Sequence, residues 1–466
     1  MNQISELKKT VIDNGYCIGC GACSFASDGK IKIELNSNGQ LQAVITNYED
    51  DTDNISVLNV CPFYNERNNE DYFGKKIYSN IDGIKHDRYI GYNLVNYAGY
   101  VKTGEYRKNG SSGGFGTWIA SKLLDEGLVD KVIHVKSKHN KDLLFDYQVS
   151  SSVSEIQEGS KSRYYPIEMS EVLEYVSNND YRYLIVGLPC FIKAVRQLQE
   201  QYSILNSRIK FTLGLVCGHL KSEFFAKSMA WELGIHPSDL KEIDFRVKNT
   251  DKSANNYSIK ASGVIDDELI DFELPTKDLF VSNWGHGLFK YKACDYCDDV
   301  MAETADVTIG DAWLPKYSKD SFGTNIITIR DQTIKTLFIK YQHEISVDLI
   351  SSSDVYQSQA GGFRHRRDGL GYRLYLANQK GLWVPHKRVN PSSKVSRKRK
   401  MIYEKRIELI QKSYTAYHNA IQKNDFSIIP NELNPLIDDY DDLYKKNILV
   451  TTILKIIKKL KQMFKI

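Results

Sequence analysis

The stretch "YRYLIVGLPCFIKAVRQLQ", Tyr181–Gln199, reads as a strand, a turn and a helix in direct succession. Tyr183 to Val186 is an unbroken apolar run of the kind a buried strand carries. Gly187, Leu188 and Pro189 interrupt it, and Phe191 to Gln199 resumes with apolar residues at helical spacing. "KFTLGLVCGHLKSEFFAKSMAWELG", Lys210–Gly234, repeats the grammar: a strand over Phe211 to Val216, a turn at Cys217-Gly218, and a helix from about Lys221. Two such units in succession predict a parallel α/β sheet. In such sheets the carboxyl ends of the strands face the ligand crevice. Cys190 and Cys217 both fall on that edge, and near helix N-termini, where the dipole favours a thiolate.

Two more thiols, Cys294 and Cys297, form a C-x2-C knuckle in "KACDYCDDVMAETADVTIGDAW", for which the pattern predicts a short helix and then a strand. Together with Cys190 and Cys217 they make one set of four. The other set is at the N-terminus. "GYCIGCGACSFAS", Gly15–Ser27, spaces Cys17, Cys20 and Cys23 with two residues between neighbours, and Cys61 follows at a distance with Pro62 directly after it. A compact triplet completed by a remote Cys-Pro is the ligand grammar of a [4Fe–4S] cluster. The small residues Gly19, Gly21 and Ala22 let backbone N–H groups approach. Structural zinc sites also use four cysteines, but typically as two C-x2-C knuckles. Cys190 and Cys217, taken singly, read equally as buried structural cysteines. Against that, eight thiols divide into two complete sets with none left over, which points to two [4Fe–4S] clusters.

Composition sets the outer bounds. The 466 residues are 42% apolar and 26% charged, an ordinary globular balance. With 62 basic and 58 acidic residues the net charge is only +4, which gives no support for nucleic acid as a partner. "MNQISELKKTVIDNGY" lacks the apolar run of a secretory signal, and no stretch of about 18 apolar residues exists to span a bilayer. The expectation is a cytoplasmic protein whose thiols stay reduced.

"NGSSGGFGTWIASKLLDEG", Asn109–Gly127, sets Ser111, Ser112, Gly113 and Gly114 ahead of a helix expected over about Thr117 to Glu126. Glycines and hydroxyls at a helix start form an anion nest suited to a diphosphate. The same residues also fit a plain capped turn. The block contains no G-x-G-x-x-G. Gly110 to Gly114 does fit the G-x-S-x-G elbow of serine hydrolases, but polar "TGEYRKN" stands where that motif needs a buried strand. His219, beside the Cys217 turn, is a candidate proton donor and equally a structural histidine. Arg364, His365, Arg366 and Arg367 read either as an anion-binding cluster or as a solvated loop. Asp306 and Asp311 flank a strand and read as structural.

These blocks, taken in order, resemble the beta subunits of coenzyme F420-reducing hydrogenases and dehydrogenases and their bacterial relatives. The resemblance runs from about Cys17 to Arg373. It is carried by "SSGGFGTWIASKLLDEGLVDKVIHV", "GSKSRYY", "VGLPCFIKAVRQL", "GLVCGHLKS", "DFRVKN", "CDYCDDVMAETADVTIGDAW" and "QAGGFRHRRDGLGYR". It implies FAD, iron–sulfur clusters, and electron exchange with a deazaflavin or another reducible small-molecule substrate. Some bacterial relatives occur among surface-polysaccharide biosynthesis proteins. The resemblance puts Ser111, Ser112, Gly113, Gly114 and Lys161 near the flavin and makes Cys190, Cys217, Cys294 and Cys297 cluster ligands. One departure stands out: many relatives read FRxKxxGW where this chain has Phe245, Arg246, Val247, Lys248 and then Asn249-Thr250. The alternative within the resemblance is an electron-transfer adaptor without a substrate site of its own. A flavin is the natural junction between one-electron clusters and a two-electron substrate, and a ferredoxin or another redox protein is the expected partner at the outer cluster.

The expected architecture is therefore an α+β ferredoxin-like N-terminal domain over residues 1–75, then a catalytic α/β domain with a mixed, largely parallel sheet over 85–375, and a helical C-terminal extension over 390–466. "NERNNEDYFGKK", residues 65–76, reads as a polar linker. "NPSSKVSRKRK" leads into a long helical pattern through about Gln422. The final "NILVTTILKIIKKLKQMFKI" is a basic amphipathic helix by pattern, suited either to peripheral membrane contact or to docking on protein.

Overall fold

A computed structural model of the chain describes residues 3–46, 56–64, 68–138 and 143–445. Its centre is an eight-stranded sheet of β1 (Val95–Val101), β2 (Lys131–Ser137), β3 (Phe145–Ser150), β4 (Tyr183–Gly187), β5 (Ile209–Leu215), β6 (Val307–Asp311), β7 (Asn325–Ile329) and β8 (Ile345–Leu349), in the order β8-β1-β7-β6-β5-β4-β2-β3. The pairs β6/β5, β5/β4 and β4/β2 are parallel and the others antiparallel, so five strands (β1, β2, β4, β5, β6) point one way and three (β3, β7, β8) the other. Of the parallel strands, β4 (YLIVG) is a continuous apolar run, as a strand buried on both faces is.

Both strand–turn–helix units form. β4 runs into α2 (Pro189–Gln201), with Pro189 in the first turn, where its missing N–H costs nothing. β5 is followed by α3 (Glu223–Glu232), which starts where the Ser222 hydroxyl accepts from the Phe224 N–H. Cys190 therefore lies in the first turn of a helix, whereas Cys217 lies six residues ahead of one, in irregular chain. The helix α1 (Phe115–Asp125) begins two residues earlier than its periodicity suggests, because Gly114 at φ +86° makes the turn into it. Only glycine adopts that conformation freely.

The knuckle differs from expectation. Cys294 lies within a 3-10 turn, Lys292–Tyr296, that Cys297 closes, and irregular chain rather than a helix leads on to β6. The expected linker is also largely a helix: Glu70–Tyr78 is helical, capped by Asn69, and Glu70 is buried beside Lys193 (3.4 Å) and Arg388 (3.5 Å). Its charges read as solvated in sequence because their partners lie more than a hundred residues away.

The N-terminal segment adds short helices and a hairpin, Ile31–Leu35 with Leu41–Ile45. It shares one continuous hydrophobic core with α2, α3 and the C-terminal helices. Those helices, α4 (Arg397–Lys423) and α5 (Ile428–Asp442), pack on each other and on α3, where Tyr417 stacks on Phe224 with ring centroids 3.9 Å apart. Tyr414 accepts a 2.6 Å hydrogen bond from Gln40 in the N-terminal hairpin. A separate three-stranded antiparallel sheet, Leu240–Val247, Ser258–Ile265 and Glu268–Pro275, stands beside the main one. Among the described residues no helix is long and apolar enough to cross a membrane. The basic amphipathic segment, residues 447–466, lies outside the described residues.

Candidate functional site

The carboxyl ends of β4, β5 and β6 open into a cleft of about 280 Å³. Its floor is made by Val186 to Leu188, Leu215 to Lys221 and Ile309 to Asp311, and its walls by Gly110 to Ser112, Gly114 and the segment Gly159 to Tyr165. Of the sequence candidates, Ser111, Ser112, Gly114, Lys161, Cys217 and His219 line it. The Ser111 hydroxyl accepts from the Ser162 N–H at 2.9 Å, tying the two walls together. Ser112 is buried and donates to the Thr324 carbonyl at 3.0 Å, so its hydroxyl is spent on the fold. The residues before it, Tyr106–Asn109, form a helical turn and not the strand of a hydrolase elbow. Lys161 pairs with Asp244.

Gly113 does not line the cleft. A Cβ there would stand 2.5 Å from the Gly99 carbonyl oxygen and 2.8 Å from Asn325 Oδ1. It is glycine so that the loop can lie flat on β1 and β7, a packing role.

Arg246 and Asp311, neither singled out in sequence as cleft residues, form a 3.1 Å ion pair at the mouth. Arg246 also reaches the Tyr164 hydroxyl (3.3 Å) and the Ser111 carbonyl (3.2 Å). Asp311 thus does more than flank a strand. Lys248 donates to the Ser112 carbonyl at 2.9 Å, and burial, reinforced by Arg107, Arg246 and Lys161, pulls its pKa down to about 7.

His219 is buried, its ring centroid 4.5 Å from that of Trp284, and its Nε2 has no hydrogen-bond partner. Burial, then the nearby cations Lys221 and Arg406, hold its pKa well below the usual imidazole value, so the ring is neutral. Beside it, buried Lys221 donates to the Leu288 carbonyl at 2.6 Å and lies over the rings of Phe225 (4.3 Å) and Trp284 (5.0 Å).

None of the eight thiols is in a disulfide. Cys17, Cys20, Cys23 and Cys61 line one small apolar cavity behind Ile18 and Pro62. Cys17 Sγ accepts from the N–H groups of Ala43 (3.3 Å) and Gly19 (3.4 Å). In the second set, Cys294 Sγ accepts from the Leu220 N–H at 3.2 Å. Burial pushes every one of the eight thiol pKa values up, Cys61 and Cys294 to about 12. Neighbouring thiols add to it: Cys61 and Cys17 at Cys20, and Cys297, Cys217 and Cys294 at Cys190. The field at Cys190 also includes Cys20, so the two sets are neighbours. Tyr147, which feels both Cys190 and Cys20, donates to the Val186 carbonyl at 3.0 Å and lines the cleft. Among the described residues no three His, Cys, Asp or Glu side chains converge closely enough to hold a single metal ion.

The run at 364–367 is neither an exposed loop nor one anion site. It ends a short helix, Ala360–Arg366, and its members separate. Arg364 is exposed and Arg367 pairs with Glu303 at 3.1 Å, while Arg366 is buried against the second thiol set.

Two family models match the chain, both described as coenzyme F420 hydrogenase/dehydrogenase, beta subunit: the N-terminal one over residues 96–174 and the C-terminal one over residues 180–354. These spans take in the cleft and the second thiol set, and leave the first set outside. An uncharacterized protein of Methanocaldococcus jannaschii is 24% identical over 247 residues, which are 52% of this chain and 82% of that protein. Among solved structures, one chain of the F420-reducing [NiFe] hydrogenase complex from Methanosarcina barkeri is similar with a TM-score of 0.48 and 16% identity, over 65% of this chain and 98% of that one.

Proposed function

Because the chain belongs to the coenzyme F420 hydrogenase/dehydrogenase beta subunit family, a family of redox proteins, we propose that it is an iron–sulfur flavoprotein oxidoreductase. Cys17, Cys20, Cys23 and Cys61 would hold one [4Fe–4S] cluster and Cys190, Cys217, Cys294 and Cys297 a second. FAD would occupy the cleft. The observation that carries the reading is continuity: Cys20 neighbours Cys190, Cys190 neighbours Cys217, and Cys217 lines the cleft.

The donor sets fit the groups assigned to them. Each is all-thiol and largely buried, the first set in an apolar cavity and the second against Arg366. Backbone N–H groups already point at sulfur in both sets, an arrangement that suits thiolates bound to iron. The cleft fits a flavin in position and chemistry. The N-terminus of α1 with Ser111 and Gly114 faces it on one side, and Lys161 on another. A flavin exchanges electrons singly with clusters and in pairs with organic substrates. Around it, Tyr164 and Trp284 form an aromatic wall whose ring centroids are 4.9 Å apart. His219, neutral and with Nε2 unpartnered among the described residues, can offer a ring nitrogen as a hydrogen-bond partner to a group bound there. The existence of this cleft favours an enzyme with its own small-molecule substrate over a bare electron-transfer adaptor. A one-electron carrier protein of the ferredoxin class would dock at the N-terminal thiol set.

The test is the composition of protein purified without oxygen. About eight irons and eight acid-labile sulfides per chain, with one bound flavin, are expected. Iron-loaded protein that binds no flavin would sink the reading.

A further inference from the structure

Arg366 is the only arginine of the run 364–367 whose charge is turned onto sulfur. It is 3% exposed. Nη1 donates to Cys297 Sγ at 2.7 Å and to the Asp299 carbonyl at 3.0 Å. Nη2 lies 3.4 Å from Cys217 Sγ and donates to the carbonyls of Cys217 (3.1 Å) and Gly218 (2.7 Å). Three other arginines near it are matched to carboxylates: Arg367 to Glu303 at 3.1 Å, Arg373 to Asp295 at 3.6 Å, and Arg388 to Glu303 at 2.8 Å. Among the described residues Arg366 has no such ion pair. A buried guanidinium without a carboxylate in contact is costly, and the side-chain acceptors it touches are the sulfurs of Cys297 and Cys217.

Among the described residues no side-chain cation is hydrogen-bonded to a sulfur of the first thiol set. Its described hydrogen bonds to sulfur come from backbone N–H groups, those of Gly19 and Ala43 on Cys17. Lys387 influences Cys61 in the first set and Cys297 in the second, so it does not separate them. Other charges act on each set from further off, Asp298, Asp299 and Lys290 on the inner and Glu168 on the outer; the difference in direct contact is one positive charge hydrogen-bonded to two thiols of the inner set. Net charge and hydrogen bonds to sulfur are the levers by which a protein sets the potential of an iron–sulfur centre. A fixed cation favours the more negative, reduced state.

We infer that Arg366 raises the potential of the inner site above that of the outer one, so that an electron entering at Cys17–Cys61 comes to rest on Cys190–Cys297, beside the cleft. This rests on the cluster assignment above. Each transfer removes one electron from the outer site and adds one to the inner site, with no bond made or broken. The electron comes from a one-electron reductant of the ferredoxin class. Arg366 is a positioning residue here, since it touches the ligands and not the substrate.

The experiment is an anaerobic redox titration of the full chain, followed by paramagnetic resonance, on wild type, Arg366→Met and Arg366→Lys. A Cys17→Ser/Cys20→Ser variant identifies which signal is the inner one. The inner couple is expected to be the higher of the two. Arg366→Met should shift the inner equilibrium alone by at least tenfold toward oxidation, about 59 mV for a one-electron couple. Arg366→Lys, which keeps the charge but not the fork, should fall between. If Arg366→Met no longer holds its inner iron, Arg366→Lys decides. Reversed order in the wild type, unmoved potentials, or an equal shift at both sites would overturn the inference. Loss of the inner iron in both variants would also overturn it, by making Arg366 a strut. Wild type without iron would sink the cluster assignment itself, a result distinct from loaded protein with unmoved potentials.

Discussion

Replacing Gly113 by alanine separates packing from cofactor contact in the loop that the sequence marks most strongly. The new Cβ would stand 2.5 Å from the Gly99 carbonyl oxygen, 2.8 Å from Asn325 Oδ1 and 2.9 Å from Asn325 N. Ordinary contact needs about 3.5 Å, so something must move by about 1 Å. Gly99 cannot: it is paired on one side with Asn325 and on the other with Val347, in the interior of the sheet. The loop must lift instead. That strains the 2.9 Å bond from the Val101 N–H to the Gly113 carbonyl and the 3.2 Å bond from the Phe115 N–H to Asn325 Oδ1. Overpacking costs about 1–3 kcal/mol and a weakened hydrogen bond about 1 kcal/mol, so Gly113→Ala should lose about 2–4 kcal/mol. Gly116→Ala is the control, because its Cβ meets only the flexible end of Ile309 at 2.7 Å and alanine suits the helix better. Denaturant unfolding read by tryptophan fluorescence measures both. A lifted loop also carries Ser111 and Ser112 away from the cleft wall, so bound flavin should fall in Gly113→Ala and not in Gly116→Ala. A Gly113→Ala protein within about 0.5 kcal/mol of wild type would refute the packing argument.

Three further outcomes are expected. Arg196→Met strands the Asp306 carboxylate, now 2.9 Å from the guanidinium, and should cost about 3–5 kcal/mol in denaturant unfolding. His134, whose pKa burial pulls down to about 4, stays neutral in the folded protein while the unfolded chain protonates near its ordinary value. The stability it supports above about pH 6.5 is therefore lost as pH falls toward 4, by up to about 3 kcal/mol, and His134→Gln should flatten that part of the stability–pH curve. Cys20→Ser and Cys190→Ser should each remove about four of about eight irons per chain, from different sites, as read by iron analysis and paramagnetic resonance.

What could be read in the sequence follows a physical divide. The strand–turn–helix units at Cys190 and Cys217 were legible because burial on both faces writes itself as continuous apolar runs, and the turns carry Gly and Pro. The two thiol sets were legible because short spacings and a count of eight constrain the partners. Charged residues were not. Glu70, Arg366 and Asp311 look in sequence like a linker, a loop and a strand flank. Each is defined by a partner that only the fold supplies: Lys193 for Glu70, Cys217 and Cys297 for Arg366, Arg246 for Asp311. A charge signals solvent until its counter-charge is known, and here the counter-charges sit 65 to 149 residues away.

The same divide bears on how the proposed electron path is held together. Cys20 and Cys190 are 170 positions apart in the sequence and belong to segments that no local pattern connects. What fixes their proximity is apolar: the described residues up to Tyr64 share their core with α2, α3 and α4. The Leu41 N–H donates to Tyr291 at 2.8 Å, and Cys20 itself accepts at its carbonyl from the Met169 N–H at 3.1 Å. Tyr291 in turn feels both Cys17 and Cys294, so one buried ring is in reach of both thiol sets. Dispersion and hydrophobic burial are short-ranged and non-directional, so they hold the N-terminal segment against the main sheet without fixing any charge between the sets. The electrostatic difference between the two sets is then left to single residues such as Arg366, and the path can be tuned without being taken apart.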